Sequence, residues 1–254
     1  MTRIGVPYFL TRYQPDVDLV IPLDVVVRAE LVNETGWSPM LPLYESVAAA
    51  VSDVLAGAGN PTVMSGDCTV ALGTVAGLQR SGLDPGVVWF DAHGDVQTME
   101  TTTSGFLGGM PLRILVGYRP ELVAVPLGLR AIVEERVVLV DARDLDPPEK
   151  EYLRQSEIRR LALEDLSPDA LPDGPLYVHL DLDVVDPTEM PGVRYPAPGG
   201  PSLAAVVEAV HMIVRTVKVA GVGIACTWSE GTVLADHVRI LLESVLSGWE
   251  QGSR

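Results

Sequence analysis

Val87-Val88-Trp89-Phe90-Asp91-Ala92-His93-Gly94-Asp95 and, some ninety positions on, Leu176-Tyr177-Val178-His179-Leu180-Asp181-Leu182-Asp183 are the stretches that decide the fold. In each, a β-branched and aromatic run ends in carboxylates at alternate positions. Such runs read as buried strands. Residues two apart on a strand point the same way, so Asp91, His93 and Asp95 converge at one strand's carboxyl end, and Asp181 and Asp183 converge at another. Oxygen ligands with an occasional imidazole suit divalent cations such as Mn²⁺, Mg²⁺ or Zn²⁺. Two such ions about 3.5–4 Å apart are able to share a bridging hydroxide as nucleophile.

Outward from these stretches the chain alternates. Short apolar runs at Arg3–Val6, Thr62–Met64, Arg136–Val140 and Gly221–Cys226 join the two above as strands. Helical periodicity marks Leu43–Ala56, Thr69–Arg80, Glu149–Arg159, Ser202–Lys218 and Leu234–Trp249. Strands alternating with helices imply an α/β fold with parallel pairing and helices on both faces of an open sheet. Ligands then bind outside the carboxyl ends of the strands, where the carboxylates fall. Gly and Pro cluster at Gly105–Pro111 and Pro191–Pro201, directly after the two acidic stretches, and read as loops that shape a site. No linker or repeat interrupts the alternation, so a single domain over 1–254 is expected. No G-x-G-x-x-G or Walker-type phosphate loop is present.

Composition narrows the partners. With 47% hydrophobic residues and four Trp, 254 residues suffice for a full core. Eighteen basic against thirty-four acidic residues give a formal charge of −16, which argues against nucleic acid or an anionic membrane as partner and favours a small, cationic ligand. Two cysteines build no disulfide framework, and a Cys68–Cys226 bridge is not expected in a reducing compartment. No apolar run reaches the roughly 18 residues of a membrane span, and no signal-peptide core opens the chain, so a cytoplasmic location is expected.

The order Ser65-Gly66-Asp67-Cys68, Asp91-Ala92-His93-Gly94-Asp95, Thr101-Thr102-Thr103-Ser104-Gly105, Asp181-Leu182-Asp183-Val184-Val185-Asp186-Pro187 and Gly199-Gly200 resembles the arginase/agmatinase (ureohydrolase) family over roughly residues 60–235. The resemblance implies a three-layer α/β/α fold, two Mn²⁺ ions, and a homo-oligomer, commonly a trimer or hexamer. It implies that Asp91 and Asp181 bridge the metals, that Cys68 and Asp95 complete one, and that His93 and Asp183 complete the other. Asp95 would also steady the hydroxide. Gln97 and Ser104 would face a guanidino-type substrate.

Five departures from the family pattern bear on chemistry. Cys68 stands where the family usually has a histidine ligand, and a thiolate is softer than Mn²⁺ prefers, which predicts a weaker metal there. Gln97 stands for an asparagine, Phe106 for another, and Gly108 for a proton-shuttling histidine. A glutamate that would pair with a guanidinium is replaced in the segment Cys226-Thr227-Trp228-Ser229-Glu230, leaving Glu230 as a candidate substitute. A similar cysteine and aromatic-Leu-Gly-Gly-Met loop mark the hydroxyarginine-hydrolysing branch, whose less basic leaving nitrogen needs less help from an acid. His179 shares a strand face with Asp181 and reads as a hydrogen-bonded core residue, as a partner behind Asp181, or as a proton carrier. His211 and His237 read as structural or surface residues. Two classes of function follow: a metal-dependent hydrolase of linear amidine or guanidino C–N bonds, or a catalytically silent scaffold with a partial metal site serving assembly or ligand sensing. The five ligands other than Cys68 favour the enzyme, because buried like charges need a cation.

Overall fold

A computed structural model describes residues 1–14, 22–32, 34–225, 239, 243 and 244. The chain opens with β1 (Thr2–Val6), a hairpin of β2 (Tyr8–Phe9) and β3 (Arg12–Tyr13), and the short β4 (Val25–Val26). It continues through α1 (Leu41–Ala56), β5 (Pro61–Ser65), α2 (Ala71–Arg80) and β6 (Gly86–Asp91). The short helices α3 (Pro111–Leu115) and α4 (Ala124–Leu127) precede β7 (Val137–Asp141), α5 (Pro147–Gln155) and β8 (Arg159–Leu161). Then come β9 (Leu176–Asp181), α6 (Leu203–Thr216) and β10 (Val219–Ala225).

Eight strands form one sheet in the order β4-β1-β5-β10-β9-β6-β7-β8, every pair parallel. Alternation along each strand supplies two apolar faces. On β6, Val87 and Trp89 enter one core layer while Val88 and Phe90 enter the other. Leu43, Val47, Leu72 and Val75 of α1 and α2 cover the first face; Val206, Val210 and Ile213 of α6 cover the second. The result is the expected three-layer α/β/α fold with a parallel sheet. Among the described residues no helix is long and apolar enough to cross a membrane.

Register brings the site together. Ser65 pairs with Ala225, Ala225 with Asp181, Leu180 with Phe90, and Asp91 with Asp141, so five neighbouring strand ends align at one edge of the sheet and four of them deliver polar groups there. The six expected strands agree with the observed ones within two residues. The expected helices among the described residues also fall within two residues of their expected bounds, except α5, and two of them differ in character at one end. The segment expected as a helix over Glu149–Arg159 is α5 from Pro147 to Gln155, capped at Asp146 with proline at its start, and Arg159 instead opens β8 beside β7. The segment Thr69–Arg80 opens with a tight turn of 3₁₀ helix at Cys68–Val70 before α2 begins. The expected helix Leu234–Trp249 lies, but for three positions, outside the described residues, as do His237 and the segment from Cys226 to Glu230.

Candidate metal centre

Each acidic stretch leaves its strand through a tight turn that fixes one carboxylate oxygen and aims the other. Asp91 Oδ1 accepts the His93 N–H at 2.7 Å and its Oδ2 accepts the Trp89 indole N–H at 3.1 Å. Asp181 Oδ1 accepts the Asp183 N–H at 3.0 Å, which leaves Oδ2 facing Cys68. Asp183 Oδ1 accepts the Ala92 N–H at 3.2 Å across the β6–β9 junction, and its Oδ2 lies 3.1 Å from His93 Nδ1. These local bonds to backbone amides orient groups that three separate segments contribute.

Two ligand clusters result, and they share Asp91. One is Cys68, Asp91 and Asp181, all buried; the other is Asp91, His93 and Asp183, with His93 partly open to the cavity. The six residues expected as ligands thus meet at one place, although Asp95 belongs to neither three-residue group. Asp95 takes a left-handed backbone (φ 53°) that strains most side chains. Its Oδ2 is buried without a hydrogen-bond partner.

The electrostatics suit a cation. Burial, then the charges of Asp91 and Asp181, hold the Asp95 carboxyl well above its ordinary range. Burial, then Asp183 and Asp91, do the same to Asp181. Burial, then Asp91, push Asp183 up to about 6. Burial works against a charged His93, but Asp183 and Asp91 outweigh it and push its pKa to about 12. Proton and metal compete for that same Nδ1 lone pair. The Cys68 thiol, raised by burial and then by Asp181, donates to Asp181 Oδ2 at 2.8 Å. Buried carboxylates crowded this way, with an orphaned Oδ2, fit divalent cations as counter-charge.

Around this floor lies a cavity of about 250 Å³, lined also by Asp67, Gln97, Thr102, Ser104, Phe106, Gly108, Asp146, Glu149 and Tyr195. Gln97 is held at both ends: its amide N–H donates to Asp146 Oδ2 at 2.8 Å and its carbonyl accepts from Thr101 at 2.7 Å. The Ser104 hydroxyl accepts the Phe106 N–H at 3.2 Å. Asp146 and Glu149 are not singled out as site residues in the sequence reading, although Glu149 opens an expected helix. Their signal was present as Asp-x-x-Glu opening a helix directly after a strand, and Glu149 Oε2 does reach back to the Asp146 N–H at 3.0 Å.

Arg143 was also missed. It pairs with Asp141 and donates to the carbonyls of Asp183 (3.1 Å), Val184 (3.0 Å) and Ala197 (2.6 Å), tying the turn after β9 to the loop beyond it. Asp186 fixes the same loop from the other side by accepting N–H bonds from Thr188, Gly199 and Gly200. His179 is a core residue: it stacks on Trp89 at 3.6 Å and bonds Tyr177 through Nδ1 at 3.1 Å, with no bond to Asp181. Burial lowers it to about 3, so it is neutral. His211 likewise bonds a backbone carbonyl, that of Ser244, at 2.7 Å.

Residues 12–227 match the model of the arginase family. Arginase from Bacillus caldovelox is 36% identical over 223 residues, covering 79% of this chain and 73% of that protein. Arginase from Bacillus subtilis strain 168 is 34% identical over 207 residues, covering 76% and 68%. A crystal structure of arginase from Bacillus subtilis superposes with a TM-score of 0.81 at 28% identity over 96% of this chain and 97% of that one. Ligand clusters at the carboxyl edge of a parallel sheet, together with these matches, establish that the chain belongs to the arginase family, as a member with cysteine at one candidate metal-ligand position.

Proposed function

We propose that this protein hydrolyses a C–N bond of a guanidino or modified guanidino compound with the help of two divalent ions, manganese at the His93 cluster and a more weakly held ion at the Cys68 cluster. The observation that carries the reading is the pair of clusters sharing Asp91 on the floor of an acidic cavity. A divalent pair, when bound, lowers the pKa of a water and so supplies the nucleophile near neutral pH. Cys68, Asp91, Asp95 and Asp181 would hold one ion; Asp91, His93, Asp181 and Asp183 would hold the other.

The remaining steps fall to the protein's own groups. Asp95 Oδ2, buried and unpartnered, is the oxygen left to accept a hydrogen bond from the attacking water and hold it in line. Asp146 and Glu149 give the wall a negative potential that draws in a cationic guanidinium. Gln97 holds the Asp146 carboxylate at that wall, and Ser104 offers its hydroxyl at the mouth. Gly108 brings no proton donor, which favours substrates whose leaving nitrogen is weakly basic, such as a hydroxyguanidine. The test is urea release by manganese-loaded protein across L-arginine, agmatine and N-hydroxy-L-arginine. Faster release from N-hydroxy-L-arginine than from L-arginine, which has the same tail, is expected, and no release from any guanidine by fully metal-loaded protein would overturn the reading.

A further inference from the structure

One side of the cavity mouth is built from three aromatic rings on three distant segments. Phe106 and Tyr195 line the cavity, their centroids 5.2 Å apart and tilted by 48°. Phe9, on the β2–β3 hairpin, stacks on Phe106 at 5.9 Å with planes 18° apart. The hairpin is pinned to the turn after β5. Leu10 donates its N–H to the buried Asp67 Oδ2 at 2.6 Å, and Gly66 packs so closely beneath Tyr8 that a Cβ would come within 2.2 Å of its carbonyl oxygen. Phe106 in turn occupies the space of a side chain at Gly108, where a Cβ would meet the ring at 2.2 Å. Phe106 is therefore braced from behind by the pinned hairpin and fills the space beside Gly108.

The charge of the rest of the lining completes the picture. Among the described residues no Lys or Arg lines the cavity, whereas Asp146 and Glu149 do. Arg194 sits 4.1 Å over the Phe9 ring, behind the wall, and acts on both Asp67 and Tyr195 without lining the cavity. The Gln97 amide gives one of its two N–H bonds to Asp146, and the Thr102 and Ser104 hydroxyls that also line the cavity are uncharged donors. A carboxylate on the substrate would meet the negative faces of aromatic rings and two acids, while losing its water. An uncharged apolar or aromatic tail would cover the rings and release water.

We propose that Phe106 and Tyr195, backed by Phe9, select guanidino compounds whose tail is apolar or aromatic and carries no carboxylate. The proposal deepens the hydrolase reading and rests on it for the guanidino end. It is tested by equilibrium binding of 4-phenylbutylguanidine, butylguanidine and L-arginine to manganese-loaded protein, with urea release followed separately. Phenylbutylguanidine should bind the wild type about tenfold more tightly than L-arginine, roughly what one well-packed apolar contact achieves. Phe106→Asn and Tyr195→Ala should each remove most of that margin, and Phe106→Leu should keep part of it; thermal melts confirm that each variant folds. L-arginine binding as tightly as the phenyl compound, or with an affinity that falls on Arg194→Ala, would overturn the wall, as would a margin undiminished in Phe106→Asn. Aromatic preference without urea release upholds the wall and overturns the hydrolase; urea release without preference does the reverse.

Discussion

The two ligand clusters share Asp91 and differ in almost everything else. At Cys68 the donor is a buried thiol whose proton already bridges to Asp181. At His93 the donor is an imidazole nitrogen facing two carboxylates, at 3.1 and 3.4 Å, on the open side of the cavity. The first donor must release a proton and is too soft for a hard cation; the second is borderline, and its cluster is oxygen-rich. One carboxylate frame thus supports two sites of unequal strength, and the inequality comes from a single residue.

The largest effect follows from removing what the clusters have in common. Asp91→Asn should empty both and abolish hydrolysis, with a loss of metal affinity beyond the about 10–100-fold that outer partners cost. Metal content after gel filtration checks it, and retention of one full equivalent would mean that Asp91 is not shared. Arg143 separates the clusters, because it holds the carbonyl of Asp183 and does not reach Cys68. Arg143→Ala should weaken the His93 cluster by about tenfold or more and leave the Cys68 cluster nearly unchanged, read as two resolved steps in a metal titration.

A smaller effect is expected at the mouth. Gly108→His places a Cβ against the Phe106 ring, so the histidine alone should displace the ring and destabilise. Phe106→Asn combined with Gly108→His should relieve it, with a coupling of about 0.5–3 kcal/mol in thermal or denaturant unfolding. Additive effects would show that the ring does not occupy that space. The smallest is pH-dependent. Donors from Thr188, Gly199 and Gly200 lower Asp186 from 3.8 to about 2, so its contribution to stability is present above about pH 4 and lost as pH falls towards 2. Asp186→Asn should flatten the stability profile within that window.

The legibility of the molecule follows the range of its interactions. Strands β6 and β9 were readable because alternation in Val87–Phe90 and Leu176–Leu180 is local, and the acids after them follow from the same period. Strand β8 was not: three residues, two of them arginines, earn strand character only by pairing with β7. Arg143 and Phe9 escaped notice for a related reason. Their partners lie 40 and 97 positions away, at Asp183 and Phe106, and no local pattern encodes a contact that the sheet order creates. His179 shows the limit of a face assignment. It was placed on the correct side of β9, but the ring stacks on Trp89 instead of meeting Asp181. Glu230, the candidate guanidinium partner, lies outside the described residues.

Inequality of the two clusters is tested most directly by titrating metal-free wild type and Cys68→His with Mn²⁺, and by locating the ions through anomalous scattering. The account predicts one tight ion at Asp91, His93 and Asp183 in the wild type, a weaker or partly filled one at Cys68, and two ions of similar affinity once histidine replaces the thiol. Two equally tight manganese ions in the wild type, or no gain in Cys68→His, would contradict it.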